Sequence, residues 1–266
     1  MNVMRRGPSG AKGSGVSAVL ISYNEEKRIG PCLDSLRWAD EIVVVDSGSS
    51  DGTPEIARRY TDKVFNVPWK GFGPQKQAAV TLASHDVVFN VDCDERVTPE
   101  LAEEIRGILS GPRMAAAYTV PRRTFLGGKE IRHCGWYPDR TTRLFDRTRA
   151  RFSADLVHER VEVSGETVPL NGHLLHDSFS GIGEMILKIN RYSDLSARQM
   201  FERGRRCGIA DLTLRPAFAF LKTYLLRLGF LDGVEGLVIS ATTSWLTFAK
   251  YAKLRELERS SGKGTG

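Results

Sequence analysis

The sequence predicts an α/β fold: a mostly parallel sheet flanked by helices, then a β-rich part and a C-terminal helical segment. Three observations carry that expectation. Short apolar runs alternate with helix-period segments over residues 16–110. Three of those runs stop at carboxylates. From Ala115 onward the pattern changes to short extended pieces punctuated by Gly127, Gly128 and Gly135.

Val16–Ser22 reads as a first buried strand, ending in Tyr23-Asn24-Glu25-Glu26, and a helix follows through Ile29, Leu33 and Leu36. Glu41–Asp46 is a second strand that finishes on a carboxylate. Residues 47–52 form a loop of types that tolerate unusual backbone angles. Thr53 and Pro54 then supply an N-cap and first-turn pair for a helix through Tyr60. Residues 64–67 read as a third strand, 74–83 as a helix and 87–91 as a fourth strand. In the next helix, capped at Thr98-Pro99, Leu101, Ile105, Ile108 and Leu109 recur at i, i+4, i+7 and i+8 and face a core.

The fourth strand stops at Asp92-Cys93-Asp94. On extended backbone, residues two apart project to one side, so both aspartates converge while Cys93 points away. Their oxygens suit a hard cation, Mg²⁺ or Mn²⁺. The bland alternative is an acidic turn between strand and helix. In parallel α/β sheets, however, the ligand lies outside the carboxyl ends of the strands. Glu25, Asp46, Asp51, Asp92 and Asp94 all fall at that edge, which makes a functional edge the better reading. The first turn lacks G-x-G-x-x-G and no G-x-x-x-x-G-K-[ST] occurs, which disfavours dinucleotide and P-loop sites. An acidic edge holds a diphosphate only through a bridging cation. A nucleotide diphosphate bound through a metal is the economical ligand.

Leu20-Ile-Ser-Tyr-Asn-Glu-Glu26, Val43-Val-Val-Asp-Ser-Gly-Ser-Ser-Asp-Gly-Thr53 and Val91-Asp-Cys-Asp-Glu95 resemble the family 2 inverting glycosyltransferases of GT-A fold. The resemblance spans about residues 16–257. Its second half is similar to the subgroup that adds sugars to the lipopolysaccharide inner core, through Trp136-Tyr-Pro-Asp139, Arg143-Leu-Phe145, Leu156-Val-His-Glu-Arg160 and Gly229-Phe-Leu-Asp-Gly233. The resemblance implies that Ser22, Tyr23 and Glu25 line the base and ribose of the donor. It implies that Asp46 contacts uracil or ribose with Asp51 nearby, that Asp92 faces ribose and metal, and that Asp94 ligates the metal.

An inverting transfer also needs a carboxylate base beside the acceptor hydroxyl. Asp139, Asp155 and Glu159 are the candidates. Position in the family favours Glu159, with Asp155 next. His158 neighbours the metal or a phosphate, or is a packed histidine. Between Arg122 and Arg160 there are ten Lys/Arg against five Asp/Glu, an excess suited to an anionic acceptor or the departing diphosphate. The alternative is a solvated basic surface.

The 266-residue chain has 41% apolar and 26% charged residues, ordinary for a globular protein, and a formal charge of +6 that leans towards an anionic partner. No nucleic-acid module accompanies that charge. The four scattered cysteines read as free thiols of a reducing compartment. Residues 1–15 lack the apolar centre of a signal peptide and read as a flexible tail, as do 258–266. Between them, 16–114 is expected to bind the nucleotide sugar, 115–180 the acceptor, and 181–257 to form helices. Ile182, Met185, Ile186, Ile189, Ala197 and Met200 recur at helical spacing as a core or docking stripe. From Arg198 to Arg227, seven Lys/Arg interleave with aromatic and aliphatic residues, which suits an anionic membrane surface.

The expectation is a metal-dependent glycosyltransferase, cytoplasmic and peripheral on the inner membrane. It would move a hexose from a nucleotide sugar, a UDP-sugar first, to an anionic lipid-linked saccharide. The alternatives are a sugar nucleotidyltransferase and an inactive membrane-bound sugar-nucleotide-binding protein.

Overall fold

The computed structural model describes residues 15–112, 114–153, 159–179 and 181–262. The first elements are β1 (Val16–Ser22), α1 (Glu26–Asp34), β2 (Glu41–Asp46), α2 (Thr53–Ala57), β3 (Val64–Asn66) and α3 (Phe72–Leu82). Next come β4 (Val87–Asn90), β5 (Glu95–Val97), α4 (Pro99–Ser110), β6 (Ala117–Leu126), β7 (Lys129–Ile131) and β8 (Asp139–Asp146). Then follow β9 (Ala150–Phe152), β10 (Val161–Val163), β11 (Thr167–Pro169), β12 (Leu174–Phe179) and α5 (Ile182–Glu202). The chain finishes with α6 (Ile209–Leu212), α7 (Leu214–Leu221) and α8 (Val234–Gly262). The expected mixed α/β class is what is observed.

The chain forms two compact units, residues 1–121 with 140–174, and 122–139 with 175–266. Residues 115–180 therefore contribute to both.

In the first unit the strands run in the order β3-β2-β1-β4-β8-β6. The β2–β3, β1–β2 and β1–β4 pairs are parallel, and β8 lies antiparallel to β4. The three inner strands β2, β1 and β4 need no polar face, because helices cover them: Val19, Leu20, Val43, Val44, Val88 and Phe89 are all fully buried. Register then decides what meets at the carboxyl edge. Ser22 pairs with Asp46, so β1 and β2 end level, while Asn90 pairs with Val19, so β4 stops three residues short and the Asp92–Asp94 turn covers the remaining distance. Phe89 pairs with Leu144, which brings Arg143 alongside Asn90.

Several boundaries differ from expectation. β4 stops at Asn90, and Asp92–Asp94 lie in a turn closed by the Glu95 N–H on the Asp92 carbonyl at 2.9 Å. The two aspartates are thus not carried by a strand; turn geometry directs them. The turn feeds β5, a strand too short to show as a hydrophobic run. α2 ends at Ala57, and Gly52 rather than Thr53 is its N-cap.

In the second unit, α5 buries Met185, Ile189, Ser193 and Ala197, successive positions four apart. Ile182 and Ile186 are exposed, so the expected stripe is displaced to one side of its stated residues. The basic segment 198–227 is not one helix: positive-φ Gly204 (φ 72°) follows the end of α5, and Gly208 caps a new start. α8 runs on to Gly262, into the stretch expected as a tail. All four cysteines are free.

Candidate active site

The acidic edge of the first unit is built by two interlocked loops. The β2–α2 loop wraps around Asp46, which is buried at 3% exposure. Its Oδ1 accepts from Ser22 Oγ at 2.9 Å and Ser49 Oγ at 2.6 Å, and its Oδ2 from the backbone N–H of Gly48 and Ser49 at 2.9 and 2.8 Å. Gly48 sits at φ 86°, a conformation that a side chain would strain. Asp46 and Ser22 thus hold the loop's shape from within. The β1–α1 loop is tied to it from the other side. Asn24 Oδ1 accepts from Ser50 N–H at 2.8 Å, and Glu25 N–H donates to Thr53 Oγ1 at 2.8 Å. Asp51 receives the Thr53 hydroxyl at 2.5 Å and the Glu26 N–H at 3.2 Å. The Thr53 bond, ahead of a smaller cost of burial, lowers the Asp51 carboxyl from its ordinary value. Tyr23 stands out at 58% exposure, an open aromatic face beside these loops, and half-buried Glu25 pairs with Arg28 at 3.5 Å.

The Asp92–Asp94 turn is seated by two buried thiols. Cys32 donates to the Asp92 carbonyl at 3.5 Å and Cys93 to the Ile21 carbonyl at 3.3 Å. Burial, aided by the surrounding carboxylates, raises both thiols well above their ordinary value and keeps them protonated donors. Cys93 enters the core while Asp92 and Asp94 stay half-buried, so the opposed directions expected of a strand are produced by the turn instead.

A chain of alternating charges runs through the turn. Arg143, on β8, places Nη1 2.9 Å from Asn90 Oδ1 and Nη2 2.7 Å from Asp92 Oδ2 and 2.5 Å from Glu95 Oε1. Glu95 is fully buried, and its Oε2 accepts the Asp92 N–H at 3.0 Å. Lys76, on α3, lies 2.9 Å from Asp92 Oδ1 and 2.9 Å from Glu159 Oε1. The order is Glu159, Lys76, Asp92, Arg143, Glu95. Burial pushes the Asp92 carboxyl up, but the Arg143 and Lys76 cations outweigh it and hold it well below the usual carboxylate range. Burial works against the charge of Lys76 and Arg143 as well, and their carboxylate partners raise both above their ordinary values.

Of the residues singled out in the sequence, Ser22, Asp46 and Asp51 are engaged in loop structure. Asp92 and Glu159 are brought together on Lys76. Asp94 lies in the same turn, half-buried. Asp155 and His158 lie outside the described residues. Asp139 belongs to the second unit and is ion-paired with Arg122. Sequence reasoning missed Lys76, Glu95 and Asn90, and it assigned no role to Arg143. Glu95 and Arg143 carried a signal, as parts of the Val91-Asp-Cys-Asp-Glu95 and Arg143-Leu-Phe145 motifs, while Lys76 and Asn90 belonged to no such motif.

Among the described residues no group of three or more His, Cys, Asp or Glu is placed to hold a metal. Mg²⁺ characteristically takes one or two carboxylates and completes its shell with substrate phosphates and water. The donor set of Asp94 and Asp92 fits that requirement.

A family model described as "Glycosyl transferase family 2" matches residues 17–163, more than half of the chain. The chain is similar to the "Lipopolysaccharide core biosynthesis glycosyltransferase LpsC" of Rhizobium meliloti (strain 1021), 34% identical over 251 residues, covering 90% of this chain and 91% of the relative. Among solved structures, the S. aureus TarS 1-349 complex with UDP aligns over 93% of this chain and 92% of that one, at 15% identity and TM-score 0.43. Glucosyl-3-phosphoglycerate synthase from Mycobacterium tuberculosis, in complex with Mg²⁺ and uridine-diphosphate, aligns at 28% identity and TM-score 0.35. That match spans 42% of this chain and 44% of that structure.

Proposed function

Because the chain belongs to glycosyl transferase family 2, we propose that it is a metal-dependent inverting transferase. It moves a hexose from a nucleotide-diphosphate sugar, a UDP-sugar first, to an anionic lipid-linked saccharide of the lipopolysaccharide inner-core type. One observation carries the reading: Lys76 joins the donor-side carboxylate Asp92 to Glu159, 2.9 Å from each. A transferase needs those two functions, donor charge control and acceptor deprotonation, close together at one site. The likeness to the lipopolysaccharide core biosynthesis glycosyltransferase of Rhizobium meliloti supports the acceptor class.

In this reading Tyr23 stacks against the donor base, and the Ser22–Asp46–Asp51 loops shape its base and ribose pocket. Asp94, with Asp92 behind it, would hold Mg²⁺ or Mn²⁺. Such an ion neutralises charge building on the diphosphate as it leaves. Glu159 accepts the proton of the acceptor hydroxyl, with Asp155 as the alternative base and His158 close to the metal or a phosphate. The freed oxygen attacks the anomeric carbon from the face opposite the diphosphate. The sugar–phosphate bond breaks and configuration inverts. Lys76 holds Glu159 in place until the acceptor arrives.

No helix among the described residues is long and apolar enough to cross a membrane, and the enzyme works from the cytoplasmic face of the inner membrane as a peripheral protein. The test is a panel of nucleotide sugars incubated with folded protein, with and without Mn²⁺ or Mg²⁺. Metal-dependent turnover of at least one sugar is expected; no turnover and no binding of any would overturn the reading.

A further inference from the structure

In the second unit, α7 continues through a π turn, Lys222–Leu226, and a 3-10 turn, Gly229–Asp232, before α8 returns antiparallel to it. The two arms are tied at both ends. Ser244 Oγ donates to the Pro216 carbonyl at 2.9 Å, and Gly236 packs so tightly on the Gly229 carbonyl that no Cβ would fit. The outer surface of this helical hairpin is apolar. Leu214, Phe218, Leu221 and Leu225 recur at i, i+4, i+7 and i+11 and are 69%, 59%, 49% and 50% exposed. At the turn, Leu226 is 72%, Phe230 45% and Leu231 57% exposed. A soluble helix turns such a stripe inward, and here the inward face is instead supplied by Pro216 and Thr223.

Along the first arm and the turn, the charges are of one sign. Residues 212–231 contain no Asp or Glu, while Lys222 and Arg227 are exposed. The flanking acids are already held: buried Asp211 by Arg205 and Arg215, buried Asp232 by His133 and the backbone N–H groups of Arg132 and His133, and half-buried Glu235 by Lys129. A second copy of the chain docking here face to face would set these cations against themselves, with Glu235 already engaged by Lys129. An anionic lipid surface meets both requirements, taking the apolar stripe into its acyl boundary and the cations at its phosphates.

We propose that this hairpin is the element by which the protein enters the interface of an anionic bilayer, with Leu226, Phe230 and Leu231 inserted and Lys222 and Arg227 at the headgroups. The proposal deepens the peripheral attachment proposed above and does not depend on glycosyl transfer.

The test uses full-length protein in flotation with vesicles of phosphatidylcholine alone or with phosphatidylglycerol. Binding is expected to favour the anionic vesicles and to weaken with salt. The double variant Leu226→Ser/Leu231→Ser removes only exposed side chains and should bind at least roughly tenfold less. Lys222→Glu should reduce binding and flatten its salt dependence, with circular dichroism and hydrolysis of a soluble nucleotide sugar unchanged in both variants. Wild-type protein that stays with neither vesicle, or variants that float as it does, would overturn the proposal. So would a dimer that the double variant dissociates while vesicle binding is unchanged. Vesicle binding without any sugar-nucleotide turnover would leave this proposal standing and remove the transferase reading instead.

Discussion

Lys76 holds two carboxylates on one ammonium group, Asp92 Oδ1 at 2.9 Å and Glu159 Oε1 at 2.9 Å. The three residues come from α3, from the turn after β4 and from the segment before β10, elements far apart in the chain. Two carboxylates this close would repel without the shared cation, and Lys76 is only 6% exposed, so water screens little of the interaction. The same contact that stabilises the fold therefore fixes where the candidate base stands.

Lys76→Met should lower transfer by about 10²-fold through misplacement of Glu159. Lys76→Arg should restore part of that loss, because a cation remains. Steady-state kinetics with saturating donor distinguishes this from weakened donor binding. Equal rates for wild type and Lys76→Met would remove Lys76 from the mechanism.

Arg143→Met leaves fully buried Glu95 and half-buried Asp92 without their guanidinium. Breaking a buried ion pair from one side costs about 3–5 kcal/mol. Urea unfolding should show that loss. A change below about 1 kcal/mol would mean that the pair is worth no more than a surface contact.

Asp94→Ala should abolish transfer while the thermal midpoint stays close to wild type, since the carboxylate is only half-buried. Full activity in the folded variant sinks the metal assignment.

Glu159→Gln should lower kcat by about 10²- to 10⁴-fold with little change in KM for the donor. If the variant keeps its rate and Asp155→Asn loses it, the base is Asp155.

Acid should weaken each unit through one carboxylate. Burial pushes Glu41 up, but bonds from Lys63, Ser17 and Ser84 outweigh it and take it from 4.5 down to about 2. Arg123, against the cost of burial and with help from Arg132, takes Glu130 from 4.5 to about 2. Both folded values are depressed, so the stabilisation is fully present above pH 4.5 and is lost as pH falls towards 2. Urea unfolding at stepped pH should show that acid limb, flatter in Glu41→Gln and in Glu130→Gln. An unchanged limb in both would show that other groups govern it.

The sequence by itself determined the alternation of strands and helices in the first unit and the side of the sheet that carries the acids. Uninterrupted apolar runs specify strands buried on both faces, and the parallel order they impose puts every strand's carboxyl end at one edge. It also determined the Thr98-Pro99 start of α4, because capping is local; Thr98 Oγ1 accepts from Leu101 N–H at 3.3 Å. What a carboxylate does at that edge was not legible. Asp46 and Asp92 look alike as strand-end acids, yet one is enclosed by its own loop and the other is shared between two cations. Only tertiary structure decided this. Lys76 sits in a helix with nothing acidic four residues to either side, and Arg143 lies on a strand whose pairing with β4 is antiparallel. Their partners are set by sheet register and by how α3 packs, both long-range properties that no spacing within the chain encodes.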